Sequence, residues 1–235
     1  MNAYDFSFAG TRLALLGSGA LWWADRGLLC VSDLHLGKSE RIARRGGSHL
    51  PPFDLHETLT RLEADMHRTG ARTVICLGDS FDDLQAAENL GEPARAWLAR
   101  LMAGRRWVWI EGNHDPGPVA LGGSHMAAFH APPLTFRHIA RPEAKGEVSG
   151  HYHPKARLAL GGKVVSRPAM LYDSTRIILP AYGTYTGGLR HDARALDRLM
   201  RDGAIAVLTG PTPTAIPMRR NTGGKANVPE SPERN

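Results

Sequence analysis

Four polar clusters, each placed at the end of an apolar run, constrain this chain more than any other feature. They are Asp33-Leu34-His35 after LLCVS, Gly78-Asp79-Ser80-Phe81-Asp82 after RTVICL, Gly112-Asn113-His114-Asp115 after RRWVWIE, and Gly150-His151-Tyr152-His153 after GEVS. Short apolar runs of this kind read as buried strands. Alternate side chains of a strand share a side, so Asp-x-His and His-x-His at a strand end aim both groups toward one side of the sheet edge. Carboxylate, amide and imidazole donors gathered there suit a borderline divalent ion such as Mn²⁺, Fe or Zn²⁺. One such cluster alone is a common turn or surface loop, whereas four in this order make a site. The glycines before Asp79, Asn113 and His151 are expected to let the backbone turn tightly there.

The rest of the chain supports an α/β reading. Residues 11–31 predict strands in TRLALLG, ALWWAD and LLCVS, with a turn at Asp25-Arg26-Gly27. A helix is predicted at 54–69, with Asp54 and Glu57 as a capping pair, Leu55, Leu59, Leu62 and Met66 as its buried stripe, and Gly70 as its stop. A second helix falls near 92–103. From about 134 the short runs LTFRH, GEVSGH, KARLAL, KVVSR and RIILP predict a second, more antiparallel sheet, closed by a helix near 192–202 and the strand AIAVLTG. Strands alternating with helices place polar motifs on loops at strand ends, where such folds gather their sites. The domain is expected over residues 1–211, and the Pro-, Gly- and charge-rich segment 212–235 reads as a disordered tail.

Composition narrows the class. The 235 residues are 42% hydrophobic, enough for one domain with a substantial core. Twenty-nine Lys and Arg against 23 Asp and Glu give +6, which favours a polyanionic partner. Cys30 and Cys76 lie inside apolar runs without metal or redox spacing, and read as small core hydrophobes. No apolar run approaches the roughly 20 residues that span a bilayer, and no cationic leader precedes an apolar stretch, so a soluble, cytoplasmic protein is expected.

The clusters taken together resemble the calcineurin-like metallophosphoesterases, whose pattern is D-x-H, GD-x-x-D, GNH(D/E), a further His, and GH-x-H. The resemblance covers roughly residues 11–185 and implies a four-layer αββα sandwich holding two divalent metal ions, with Mn²⁺ the first expectation and Fe or Zn²⁺ the alternatives. It implies that Asp33, His35 and His153 hold the first ion, that Asn113, His151 and one more His hold the second, and that Asp79 bridges both. For the remaining ligand, His125, His130 and His138 all lie in the right interval. His138 is preferred because it ends the strand LTFRH, and His130 comes second. His114 matches the non-ligand His at the reacting phosphate, with Asp115 orienting its ring, and Asp82 would steady a metal-ligand His. Two ions acidify water to hydroxide near neutral pH and clamp the phosphate for in-line attack.

Within the superfamily the chain is most similar to the ligase-associated DNA damage response endonucleases, the PdeM type. The resemblance is carried by Ser32-Asp33-Leu34-His35-Leu36-Gly37-Lys38, the short interval from His138 to His151 ending in GHYHP, and Leu179-Pro180-Ala181-Tyr182-Gly183-Thr184-Tyr185-Thr186-Gly187-Gly188. It implies a Mn²⁺-dependent phosphodiesterase or endonuclease acting on DNA in repair, with a functional link to a DNA ligase and a helicase. Single-stranded DNA is the expected form, because a flexible strand can bend to place one diester across both ions where a stiff duplex cannot. Independently, Lys38, Arg41, Arg44 and Arg45 follow the first cluster in what reads as a mobile loop, placed to hold neighbouring phosphates. The rival enzyme is a pyrophosphatase cleaving a nucleotide-linked lipid of the UDP-diacylglucosamine type, and the rival non-enzyme is a scaffold keeping the fold without chemistry. The oligomeric state stays open, with a homodimer among the options.

Overall fold

The structure is a computed structural model and describes residues 2–44, 46, 53–117 and 120–218. Among the described residues, fifteen strands and five α-helices form two sheets with helices on their outer faces. The first sheet runs in the order β1 (Ala3–Phe8), β2 (Thr11–Leu16), β3 (Leu21–Trp23), β4 (Leu28–Val31), β5 (Thr73–Leu77), β6 (Arg106–Ile110) and β7 (Ser124–Met126). Its first four strands are antiparallel neighbours, and β4 to β7 are parallel. Helices α1 (Lys38–Arg44), α2 (Asp54–Thr69), α3 (Leu84–Glu88) and α4 (Glu92–Met102) lie in the crossovers between β4, β5 and β6.

The second sheet contains β8 (Ala128–Ala131), β9 (Leu134–Arg137), β10 (Glu147–Ser149), β11 (Lys155–Leu160), β12 (Lys163–Tyr172), β13 (Arg176–Ile178), β14 (Ile205–Leu208) and β15 (Thr214–Pro217). Helix α5 (Arg194–Leu199) covers its outer face. The sheet is mostly antiparallel, but β9, β10 and β13 run parallel at its centre. That parallel core brings the ends of β9 and β10 to one edge.

Period-two alternation in strands buried on both faces explains the layering. On β5, Ile75 and Leu77 face the second sheet and pack with Phe136, Val148, Met170 and Ile177. Val74 and Cys76 face the other way, against Leu59, Leu62 and Met66 of α2 and Leu98 and Leu101 of α4. Beyond the second sheet, Ala169, Leu171 and Ile178 pack on Leu196 of α5. The order helix, sheet, sheet, helix is the αββα sandwich. Cys30 belongs to the core between the sheets and Cys76 to the core under the helices, so the two buried thiols sit on opposite faces of one sheet.

Several local expectations change. The segment after the first cluster is the helix α1 rather than a mobile loop, because Asp54 accepts hydrogen bonds from the Ser39 backbone N–H (3.2 Å) and hydroxyl (2.5 Å) and ties α1 to α2. Asp54 is therefore not a capping partner of Glu57, and α2 begins without a side-chain cap. Ordered structure also runs past residue 211: β15 pairs with β14, from Ile205↔Pro217 to Leu208↔Thr214, which satisfies an edge that would otherwise be open. The part of the expected tail beyond Met218 lies outside the described residues.

Candidate metal centre

Each of the four clusters follows directly on a strand, and the strands come from both sheets. Asp33 and His35 follow β4, Asp79 follows β5, and Asn113 and His114 follow β6, all at the carboxyl ends of parallel strands. The second sheet contributes His138 after β9, and His151 and His153 after β10. Of the seven described non-glycine residues with positive φ, five are Asp33, His35, Asp79, His151 and His153. Left-handed backbone at side chains with a Cβ is strained, and it persists where surrounding packing holds it for a purpose.

The glycines serve space more than conformation. Gly78 does take a left-handed φ of +77°, and a Cβ on it would strike the His138 ring. Gly112 and Gly150 have ordinary φ, but a Cβ there would collide with Asp79 and with the Ser32 hydroxyl, respectively.

The donors form two groups. In the first, Asp33 Oδ1 lies 3.2 Å from His153 Nε2, and His153 Nε2 lies 3.3 Å from His35 Nε2. In the second, His138 Nε2 lies 3.0 Å from Asn113 Oδ1, 3.3 Å from Asp79 Oδ2 and 3.3 Å from His151 Nδ1. Asp79 Oδ2 is also 4.0 Å from His35 Nε2, so its carboxylate stands between the groups. These spacings test the fit to metal. Donors about 2.1 Å from one ion lie about 3.0 Å apart in an octahedron and about 3.4 Å apart in a tetrahedron. The donor separations fall at or near this range, so the residues fit two divalent cations.

Outer partners fix which imidazole nitrogen faces inward. His35 Nδ1 is held by Asp82 Oδ1 at 2.8 Å, leaving Nε2 for the centre. His138 Nδ1–H donates to the Leu77 carbonyl at 3.0 Å, again leaving Nε2. Such partners orient a metal-ligating histidine and set its tautomer. His130 instead bonds Thr135 on an exposed stretch of β8, and His125 stacks on Trp109. Of the three histidines in question, only His138 reaches the cluster.

The electrostatics call for positive charge at the centre. Burial pushes the Asp33 carboxyl up, but hydrogen bonding and charge from His153, with help from His138 and Ser32, outweigh it and hold the pKa below the usual value. Asp79 behaves alike: burial is outweighed by His138, the His114 backbone N–H and His35. Burial lowers His138, yet Asp79 and Asp33 raise it above the ordinary imidazole value, while burial and His138 together lower His151. A divalent cation supplies that charge while taking its histidines neutral.

Around His114 the arrangement differs from expectation. Its Nδ1 lies 2.8 Å from the Asp82 carbonyl, which accepts the proton and leaves Nε2 as the working nitrogen. Asp115 does not touch the ring. Its carboxylate accepts the backbone N–H groups of Ser80 (2.7 Å), Phe81 (3.1 Å) and Gly112 (3.2 Å), tying the second cluster to the third. Burial and the charge of Asp79 push it up to about 6, against the pull of those amides.

The basic residues of α1 are engaged by carboxylates. Lys38 Nζ lies 3.5 Å and Arg41 Nη1 2.9 Å from the Asp82 carboxylate, and Arg44 makes two 3.0 Å hydrogen bonds to Asp83. His35, Asp82 and His114 lie close enough together to mimic another metal group, but these two cations already compensate Asp82. Three of the four basic side chains are thus paired with carboxylates rather than free for phosphates. Arg45 lies outside the described residues.

Sequence reasoning missed Asp65. This buried carboxylate on α2 accepts from the Tyr182 hydroxyl at 2.9 Å, while the Tyr182 and Gly183 N–H groups donate to the Ser32 and Asp33 carbonyls. An Asp inside the apolar stripe of a helix was the available signal.

Comparison with curated proteins finds no match. Among solved structures, the chain is similar to the Pseudomonas putida nuclease MPE, with 27% identity, a TM-score of 0.70, and coverage of 91% of this chain and 100% of that one. The family profile described as calcineurin-like phosphoesterase matches residues 27–213, a span containing every residue of the centre, and the chain belongs to that family of metal-dependent hydrolases.

Proposed function

We propose that this chain is a two-metal phosphodiesterase that cuts nucleic acid, with single-stranded DNA as substrate, Mn²⁺ as its metal and DNA repair as its setting. Asp33, His35 and His153 would hold one ion, Asn113, His138 and His151 the other, and Asp79 would serve both. The observation that carries the reading is Asp79 standing between two donor groups, with His114 beside them but outside both. When bound, the ions supply Lewis acidity, making hydroxide available near neutral pH and drawing charge from the phosphoryl group.

The protein's own residues do the rest. Asp82 holds the His35 ring through Nδ1, and its carbonyl holds His114 with Nε2 free to protonate a leaving oxygen or to stabilise phosphoryl charge. Arg41 Nη1, 3.3 Å from His114 Nδ1, adds positive charge beside the imidazole ring. The likeness to a nuclease over nearly the whole chain supports a phosphodiester substrate. A lipid substrate fits poorly, because the described residues from 111 to 150 show a single exposed large hydrophobe, Ile139.

The test is a single-stranded circular DNA incubated with Mn²⁺. Linearised and then shortened products would support an endonuclease. An untouched circle together with rapid hydrolysis of a nucleotide-linked lipid would overturn the nuclease reading and leave the metallophosphoesterase standing.

A further inference from the structure

A cavity of about 520 Å³ adjoins the segment that holds the first cluster, and it contains no residue of the metal centre. Its wall includes Arg61, Arg68 and Arg167, together with Tyr182, Gly183 and Thr186. Arg61 and Arg68 lie two turns apart on one face of α2, and Arg167 reaches in from β12. Against these three cations the lining holds one carboxylate, Asp65, already bonded to the Tyr182 hydroxyl.

Most of the guanidinium donors are uncommitted. Arg61 stacks over the Tyr182 ring at 4.8 Å, with Nη2 donating to the Tyr182 carbonyl at 2.7 Å and reaching Thr184 Oγ1 at 3.5 Å, while its buried Nε has no partner. Arg167 donates once, to the Thr209 carbonyl at 3.3 Å. Arg68 is exposed at the mouth. A concave site with excess positive charge and planar forks of free N–H groups matches the oxygens of a phosphate.

We propose that this cavity is a second phosphate-binding subsite, which takes a phosphate flanking the scissile one on a nucleic-acid strand. The inference rests on the nuclease reading for its ligand, and on the arginines alone for its chemistry. Segment 182–186 links the two places. The Tyr182 and Gly183 N–H groups hold the Ser32 and Asp33 carbonyls, and the Tyr182 carbonyl holds Arg61. The cavity thus adjoins the segment that holds the Ser32–Asp33 backbone, and a strand bound in it would run toward the metal centre. It also supplies the positive surface that Lys38, Arg41 and Arg44 lack once they are paired.

The double variant Arg68→Ala/Arg167→Ala tests this and leaves Arg61 packed on Tyr182. Binding of a fluorescent single-stranded oligonucleotide to the full-length, Mn²⁺-loaded protein is measured against salt. The log–log slope should fall by up to about 1.4, roughly 0.7 for each lost contact. The ratio of oligonucleotide cleavage to bis-p-nitrophenyl phosphate hydrolysis should fall with it. An unchanged slope and ratio would overturn the proposal. A second arm follows thermal stability with inorganic phosphate or a mononucleotide. If the double variant loses only this response, with oligonucleotide binding intact, the site takes free phosphate and the strand assignment is wrong. Should the wild type bind no oligonucleotide, the nuclease reading fails. A phosphate response lost in the variant would then still support the subsite's chemistry, and an equal response in both proteins would overturn it.

Discussion

Asp79 and His114 are neighbours with opposite expected phenotypes. The Asp79 carboxylate stands between both donor groups and also accepts the His114 backbone N–H at 2.9 Å. Asp79→Ala should therefore take metal content from two ions per chain to one or fewer, measured by elemental analysis after dialysis, with hydrolysis lost in parallel. His114→Ala should keep both ions while the chemical step slows by roughly ten- to ten-thousandfold in single-turnover kinetics, the range for a positioned acid or charge stabiliser. Loss of an ion from that variant would move His114 among the ligands. Most of the proposed ligand set is legible at this scale, because chelation needs particular side-chain types and strand ends place them. The direction a side chain takes is not. Asp115 follows His114 directly in sequence, yet turns to the amides of Ser80 and Phe81 instead, a choice set by a loop 35 residues away.

Among the elements, α1 departs most from its sequence. KSERIARR offers charge without an apolar stripe, so it reads as a basic loop; its helical form depends on Asp54 and Asp82, which are distant in sequence. The edge strands were hidden for a related reason. β15 is four residues long, mostly exposed and paired on one side only, and β1 lies at the chain's start, where Tyr4, Phe6 and Phe8 alternate as a strand should. The pairing of α1 has a measurable consequence: Arg44→Ala should leave the salt dependence of DNA binding nearly unchanged, because Asp83 already neutralises it, whereas Arg41→Ala should slow cleavage through His114 and Asp82. A large slope change for Arg44→Ala would show that its ion pair opens on binding. The segment after β13 is anchored to α2 by Arg61 on the Tyr182 carbonyl, by Thr58 on Thr184 and by the buried Tyr182 hydroxyl on Asp65. Tyr182→Phe would leave Asp65 short of a partner and should cost about 1–3 kcal/mol in denaturant unfolding.

For the whole molecule, the two-sheet plan was legible from the change in pattern near residue 134, since runs buried on both faces differ from short alternating ones. Which strands of the second sheet run parallel was not, although that is what brings β9 and β10 to the centre. Ions that bind only the folded chain raise its stability, by about 2.7 kcal/mol for each site at a free concentration of 100 times Kd. Stripping metal with a chelator should therefore lower the melting temperature, and Mn²⁺ should restore it in Asp115→Asn less fully than in the wild type, because that carboxylate ties two of the clusters together. In the proposed arrangement each ion takes ligands from both sheets, Asp33 and His35 with His153 on one side, Asp79 and Asn113 with His138 and His151 on the other. Mechanically, each ion so held would be a rivet through two plates. When the chain is stretched by its ends, Mn²⁺ should raise the force at which the sheets slide apart, and the enzyme should lose its metal at the moment of slip, before either plate unravels.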